Sequence, residues 1–174
     1  MALIPTTILT GFLGAGKTTL LNRILQEPHG FKIAVIENEF GQENIDNEIL
    51  VQDGTEQIVE MNNGCICCTV RGDLIIALTS LAQKRNAGEL QFDHVVIETT
   101  GLANPGPVAQ TFFVDEEVAS EYLVDAIITV VDAKHAMHQL DSYEEAQRQV
   151  GFADKLLFSK TCLLYTSPSP RDRG

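Results

Sequence analysis

An α/β fold, with a mainly parallel sheet between helical layers, is predicted for this 174-residue chain by two features of its sequence. Short β-branched apolar runs alternate with segments of helical periodicity, the pattern of right-handed βαβ crossovers. A glycine-rich loop joins the first strand to the first helix, which places ligand chemistry at the C-terminal ends of the strands. Residues 4–10 (IPTTILT) form the first expected strand, and residues 18–27 carry Leu20, Leu21, Ile24 and Leu25 at helical spacing. Residues 32–37 (KIAVIE), 94–98 (HVVIE), 126–131 (AIITVV) and 155–158 continue the strand series. Helical patterns at 73–85 and 143–150 fall between them, and the segment after Asn104-Pro105-Gly106-Pro107 begins another helix. Residues 57–61 add a short strand leading into a cysteine cluster.

The loop itself is Gly11-Phe12-Leu13-Gly14-Ala15-Gly16-Lys17-Thr18-Thr19, a full match to GxxxxGK followed by Ser or Thr. Its glycines let successive backbone N–H groups converge on phosphate oxygens at the positive end of a helix. Lys17 can reach the outer phosphates and the Thr18 hydroxyl can ligate Mg²⁺. The expectation is therefore a nucleoside-triphosphate site in a three-layer P-loop NTPase fold, with Gly11, Gly14, Ala15, Gly16, Lys17, Thr18 and Thr19 as nucleotide-binding residues. The run His94 to Gly101, HVVIETTG, ends a strand in an acid with a glycine three residues on. Glu98 can hold Mg²⁺ and Gly101 can present its N–H to the terminal phosphate, so Lys17, Thr18, Glu98 and Gly101 are the catalytic candidates.

Composition narrows the partners. A formal charge of −12 repels nucleic acid, and no basic patch offsets it. No apolar run approaches the roughly 18 to 20 residues needed to span a bilayer, and the N-terminus lacks a secretion signal, so a cytoplasmic protein is expected. Three of four cysteines lie in Cys65-Ile66-Cys67-Cys68 after Asn62-Asn63-Gly64. Soft thiolates at this spacing fit Zn²⁺ and leave a fourth position open, for which Glu37, at the end of the second strand, is the candidate. Buried inert cysteines or a vicinal redox pair are the alternatives.

Ser159-Lys160-Thr161 resembles the opening of the guanine-recognition motif Asn/Ser/Thr-Lys-x-Asp, which makes Ser159 and Lys160 base-binding candidates. Cys162 stands where that motif has Asp, and a thiol cannot accept the paired guanine donors, so weak discrimination of GTP from ATP is expected. Asp132 closes the fourth strand and serves either structure or the nucleotide pocket. His135 and His138 are expected on a solvated helix face, and His29 in a turn. From Cys162 the sequence reads CLLYTSPSPRDRG, which departs from the preceding pattern and is read as a non-native or disordered tail over 162–174.

Together GFLGAGKTTLLN, VIENEFG, NGCICC, VIETTGLANPGP, VVDAKHA and SKT resemble the CobW-like (CobW/HypB/UreG-type) family of metal-handling P-loop GTPases, closest to its YjiA-type members. The resemblance covers residues 1–161, and CxCC between two switch regions is its most distinctive element. It implies GTP hydrolysis coupled to binding and delivery of a metal, zinc or another transition metal such as cobalt, to a client metalloprotein; no positioning Gln or Arg finger is evident in the sequence, so slow turnover is expected. Against the family pattern, the base-motif Asp, the last strand and helix of the nucleotide domain and a C-terminal domain are absent. The competing expectations are a non-catalytic nucleotide-bound metal-binding or scaffold protein, and an ATP-dependent P-loop enzyme.

Overall fold

In the structure, a computed structural model, residues 2–28, 30–38, 46–53, 55–62 and 70–160 are described. The elements run β1 (Ile4–Gly11), α1 (Lys17–Gln26), β2 (Ile33–Asn38), β3 (Asp46–Asp53), β4 (Thr55–Asn62), α2 (Val70–Asn86), β5 (His94–Thr99), α3 (Pro105–Val114), α4 (Glu116–Glu121), β6 (Tyr122–Asp132), α5 (Ala136–Ser142), α6 (Glu144–Gly151) and β7 (Lys155–Ser159). One seven-stranded sheet has the order β4-β3-β2-β5-β1-β6-β7. The pairs β2–β5, β5–β1, β1–β6 and β6–β7 are parallel. The pairs β2–β3 and β3–β4 are antiparallel. The parallel part matches the expectation. The strand β3 was not anticipated, and the expected short strand at 57–61 is the inner part of its hairpin partner β4.

Alternation along the parallel strands divides the core between the two faces of the sheet. Ile4 and Ile8 of β1 and Val95 and Ile97 of β5 pack with Leu74, Leu78 and Leu81 of α2, Val108 and Phe112 of α3 and Val118 of α4. Leu9, Val35 and Val96 point the other way, onto Leu21 of α1. The period-two switch inside continuous apolar runs is what a sheet covered on both faces requires. At β6 the register slips between Thr6 and Thr7 of β1, and the pairing resumes with Ala126 beside Thr7. Helix starts follow side-chain chemistry. Asn104 caps α3 by accepting from the Gly106 N–H at 2.9 Å, with Pro105 in the first turn, and Asp115 caps α4 from Val118 N–H at 2.9 Å.

The consequence for function is one crowded edge. The C-terminal ends of β1, β2, β5, β6 and β7 lie side by side. Because β3 runs antiparallel to β2 and β4 antiparallel to β3, the end of β4 at Asn62 faces that same edge. Cys65, Cys67, Cys68, residues 39–41, His29 and the segment 161–174, Cys162 included, lie outside the described residues.

Candidate nucleotide site

The phosphate loop leaves β1 through a turn in which the Ala15 N–H donates to Phe12 O at 3.0 Å, and α1 begins at Lys17. Gly14 and Gly16 have φ of 75° and 99°, the left-handed region that costs a residue with a side chain. Gly16 is the residue before the helix and its carbonyl accepts from the Leu20 N–H at 3.0 Å, so the helix N-terminus opens directly onto the loop. Gly11 lies against β6, where a side chain would collide with Val130 O. Ala15 is buried and Thr19 is exposed in the first turn of the helix.

Lys17 is largely buried, and its ammonium donates to Gly11 O at 2.6 Å. Burial lowers its pKa from the ordinary lysine value, and the neighbouring carboxylate of Glu98 acts in the opposite direction. Glu98 is the buried penultimate residue of β5, one strand away, and the Thr18 hydroxyl donates to its Oε1 at 2.7 Å. The two residues expected to share Mg²⁺ thus meet, although 80 positions separate them in sequence. The other carboxylate oxygen of Glu98, Oε2, is buried and has no hydrogen-bond partner among the described residues. A hydroxyl and a carboxylate with an unsatisfied oxygen, beside a phosphate loop, are the donors a hard divalent cation takes, so the residues present fit Mg²⁺.

Gly101 follows in a turn closed by the Ala103 N–H on Thr100 O at 3.1 Å. A Cβ there would stand 2.6 Å from Leu13 N and 2.7 Å from its Cα, so the turn backbone packs directly on the phosphate loop. Only glycine permits that approach.

On the other flank, β7 delivers Ser159 and Lys160 to the same loop. The Ser159 hydroxyl donates to Ala15 O, and the Lys160 ammonium donates to Gly14 O at 2.7 Å. Lys160 has a φ of 56°, which turns the chain over the loop. Its ammonium also bridges to Asp132 Oδ2 at 2.8 Å. Burial alone would raise the Asp132 carboxyl; hydrogen bonds from Lys160, His135 and the backbone N–H groups of His135 and Lys134 overcome that and hold it at about 2. Asp132 orders the 132–135 turn and holds the Lys160 ammonium. His135 and His138 are exposed as expected, but His135 also engages Asp132 Oδ2 through Nδ1 at 2.9 Å.

Glu37 stands beside Glu98 in the β2–β5 register, at the edge that carries the phosphate loop. Among the described residues no group of three or more His, Cys, Asp or Glu is placed to hold a metal ion, and no helix is long and apolar enough to cross a membrane. One site residue escaped sequence reasoning altogether. Gln149 of α6 is fully buried and its amide donates to Gly101 O and Ala103 O, both at 3.0 Å.

The sequence pattern of the CobW/HypB/UreG nucleotide-binding domain matches residues 5–169. The chain belongs to this family. A zinc chaperone YjiA from Escherichia coli (strain K12) is 52% identical over 158 residues, covering 91% of this chain and 49% of that protein. A zinc-regulated GTPase metalloprotein activator 1 from Schizosaccharomyces pombe is 43% identical over 167 residues, covering 92% of this chain and 40% of its own length. The chain therefore spans about half or less of these CobW-family relatives. Among solved structures, a crystal structure of Zn(II)-bound YjiA GTPase from E. coli aligns with a TM-score of 0.72 and 44% identity over 94% of this chain and 51% of that one. A Zn(II)-bound YjiA triple mutant, with one glutamate and two cysteines changed to alanine, aligns with a TM-score of 0.73, at 43% identity and the same coverage of both chains.

Proposed function

We propose that this domain binds GTP with Mg²⁺ and hydrolyses it in a protein that takes up zinc and passes it to a client metalloprotein. The observation that carries the nucleotide half is the contact of Thr18 with Glu98, whose second oxygen is buried beside Lys17 and has no partner among the described residues. When bound, Mg²⁺ supplies charge neutralisation at the phosphate oxygens, with Thr18 and Glu98 as its protein partners. Lys17 places a second positive charge at the outer phosphates. The loop N–H groups and the Gly101 N–H stabilise charge that develops on the transferring phosphoryl group, and water attacks as nucleophile. Lys160 and Ser159 hold the base side of the site against Gly14 and Ala15.

Zinc enters as cargo. The family, the printed names of the relatives and the three clustered cysteines support it. The YjiA mutant that replaces one glutamate and two cysteines draws attention to the same residue types here, Glu37 with Cys65, Cys67 and Cys68. The strand ends give the two chemistries a short path to each other. Asn62, the last residue of β4, lies two strands from β2, which is about 10 Å at ordinary sheet spacing, and Glu37 neighbours Glu98.

The test is competitive Zn²⁺ titration of this chain with GDP and with a non-hydrolysable GTP analogue, beside a variant with Cys65, Cys67 and Cys68 all changed to Ser. Zinc affinity that depends on the nucleotide and is lost in the variant is the expected result. Reciprocity requires zinc to change the affinity for the analogue by the same factor. Tight zinc that ignores the nucleotide, and resists chelators equally with either, would replace delivery by a fixed structural site.

A further inference from the structure

We propose that Gln149 is the positioning residue of the phosphate-sensing turn, latching Gly101 from α6 and thereby setting how well the site distinguishes a nucleoside triphosphate from a diphosphate. This deepens the GTPase reading and rests on it.

A glutamine amide has two N–H donors, and Gln149 directs Nε2 at two carbonyls of one turn, Gly101 O and Ala103 O, at 3.0 Å each. The residue is 1% exposed, so water does not compete for either bond. Its main-chain carbonyl accepts from the Thr129 hydroxyl at 2.7 Å, which ties this turn of α6 to β6. The turn has little other freedom, because Ala103 N–H closes it on Thr100 O and Asn104 caps the next helix. Glycine is the residue whose backbone rotates most freely, and at Gly101 no side chain damps that rotation. Fixing its carbonyl restricts ψ at the same Cα that packs against Leu13 of the phosphate loop. The cost of losing the latch is borne by two buried carbonyls.

The opposite end of α6 strengthens the assignment. Tyr143, the N-cap residue just before α6, packs on Phe12 of the phosphate loop with ring centroids 4.7 Å apart and the rings tilted by 35°. The helix therefore meets one nucleotide-contacting loop through Tyr143 and the other through Gln149. It acts as a spacer between them. A β- or α-phosphate held by the phosphate loop alone does not depend on that spacing, whereas a γ-phosphate touched from both sides does.

The experiment compares GDP and non-hydrolysable GTP-analogue affinities, with Mg²⁺, for the unmodified chain and for Gln149→Met, which keeps length and removes both donors. The expected result is a loss of about tenfold or more for the analogue with GDP affinity held within about twofold. Equal losses for both nucleotides, or no change in their ratio, overturn the proposal and leave the GTPase reading intact. An unmodified chain that binds neither nucleotide overturns both. Should Gln149→Met fail to fold, hydrogen exchange on the unmodified chain decides. The proposal requires the analogue, relative to GDP, to slow exchange at residues 101–104 and 146–150 together; slowing at 101–104 alone overturns it.

Discussion

Glu98 answers two demands with two oxygens. Oε1 receives the Thr18 hydroxyl, while Oε2 is buried with no donor among the described residues. Changing Glu98 to Gln keeps an acceptor for Thr18 and removes the charge, so the fold should survive and the cation site should not. We expect Glu98→Gln to retain its circular dichroism spectrum, to need much more Mg²⁺ for half-maximal hydrolysis, and to lose about 10²-fold in kcat. Hydrolysis that matches the unmodified chain at low Mg²⁺ would remove Glu98 from the mechanism. Asp132 allows a different test at the same scale. Its carboxyl titrates at about 2 in the fold against 3.8 when unperturbed. A depressed folded pKa gives stability that is complete above pH 4 and lost as pH falls toward 2. That difference corresponds to about 2 kcal/mol. Asp132→Asn should therefore unfold at lower urea at pH 7, yet lose less stability between pH 4 and 2 than the unmodified chain. Parallel acid limbs in the two proteins would contradict this. Lys17, Thr18 and Gly101 were legible because their motif is local. Gln149 was not, since the carbonyls it holds lie 48 and 46 residues away and a lone buried glutamine has no sequence signature.

At the scale of elements, short-range chemistry again separates what the sequence revealed from what it hid. Strands β1, β5 and β6 are continuous apolar runs, and Asn104-Pro105 marks the start of α3 in the sequence itself. Strand β3 reads DNEILVQD, in which β-poor Asp, Asn and Glu surround a three-residue apolar run and period-two alternation is absent. Its signal was the following dipeptide, since Asp53-Gly54 between two apolar segments is a hairpin mark. Docking between elements can be tested where one bond does it. The Tyr122 hydroxyl, buried at the start of β6, donates to Leu78 O of α2 at 2.6 Å, and burial raises its pKa well above the ordinary phenol range. Leu78 O keeps its place in the helix ladder when the phenol is removed, so Tyr122→Phe strands no carbonyl. The expected cost is about 1 kcal/mol in equilibrium urea unfolding, with nucleotide affinity unchanged. A cost above about 3 kcal/mol would mean that α2 is repositioned rather than merely unbonded.

Across the whole molecule, the proposed nucleotide site is a seam rather than a pocket in one element. The phosphate loop ends β1, Glu98 lies at the end of β5 before Thr99, Asp132 ends β6, and Lys160 follows β7; their contacts cross the sheet at its C-terminal edge through Thr18–Glu98, Lys160–Asp132 and Lys160–Gly14. A ligand that bridges these ends must raise the stability of the central sheet as a unit, because each strand it touches is paired to the next. At a free GTP concentration about 100 times Kd the linkage contribution is about 2.7 kcal/mol, and for a domain of this size each kcal/mol moves Tm by about 2 to 4 °C. We therefore expect GTP with Mg²⁺ to raise Tm by about 5 to 10 °C, and chelation of Mg²⁺ to remove a large part of that rise. The gain should be uneven in space. The hairpin β3–β4 hangs on β2 at the far side of the sheet, and no described contact joins it to the phosphate loop, so amides of residues 46–53 and 55–62 should gain less protection from hydrogen exchange than those of β1, β5 and β6. Zinc supplied together with nucleotide reverses that expectation, because β4 leads at Asn62 toward the cysteines and β2 ends at Glu37 and Asn38. Protection that spreads from the central strands into β3–β4 only when both ligands are present would locate the coupling between nucleotide and metal in this hairpin. Protection identical with and without zinc would place that coupling elsewhere in the protein.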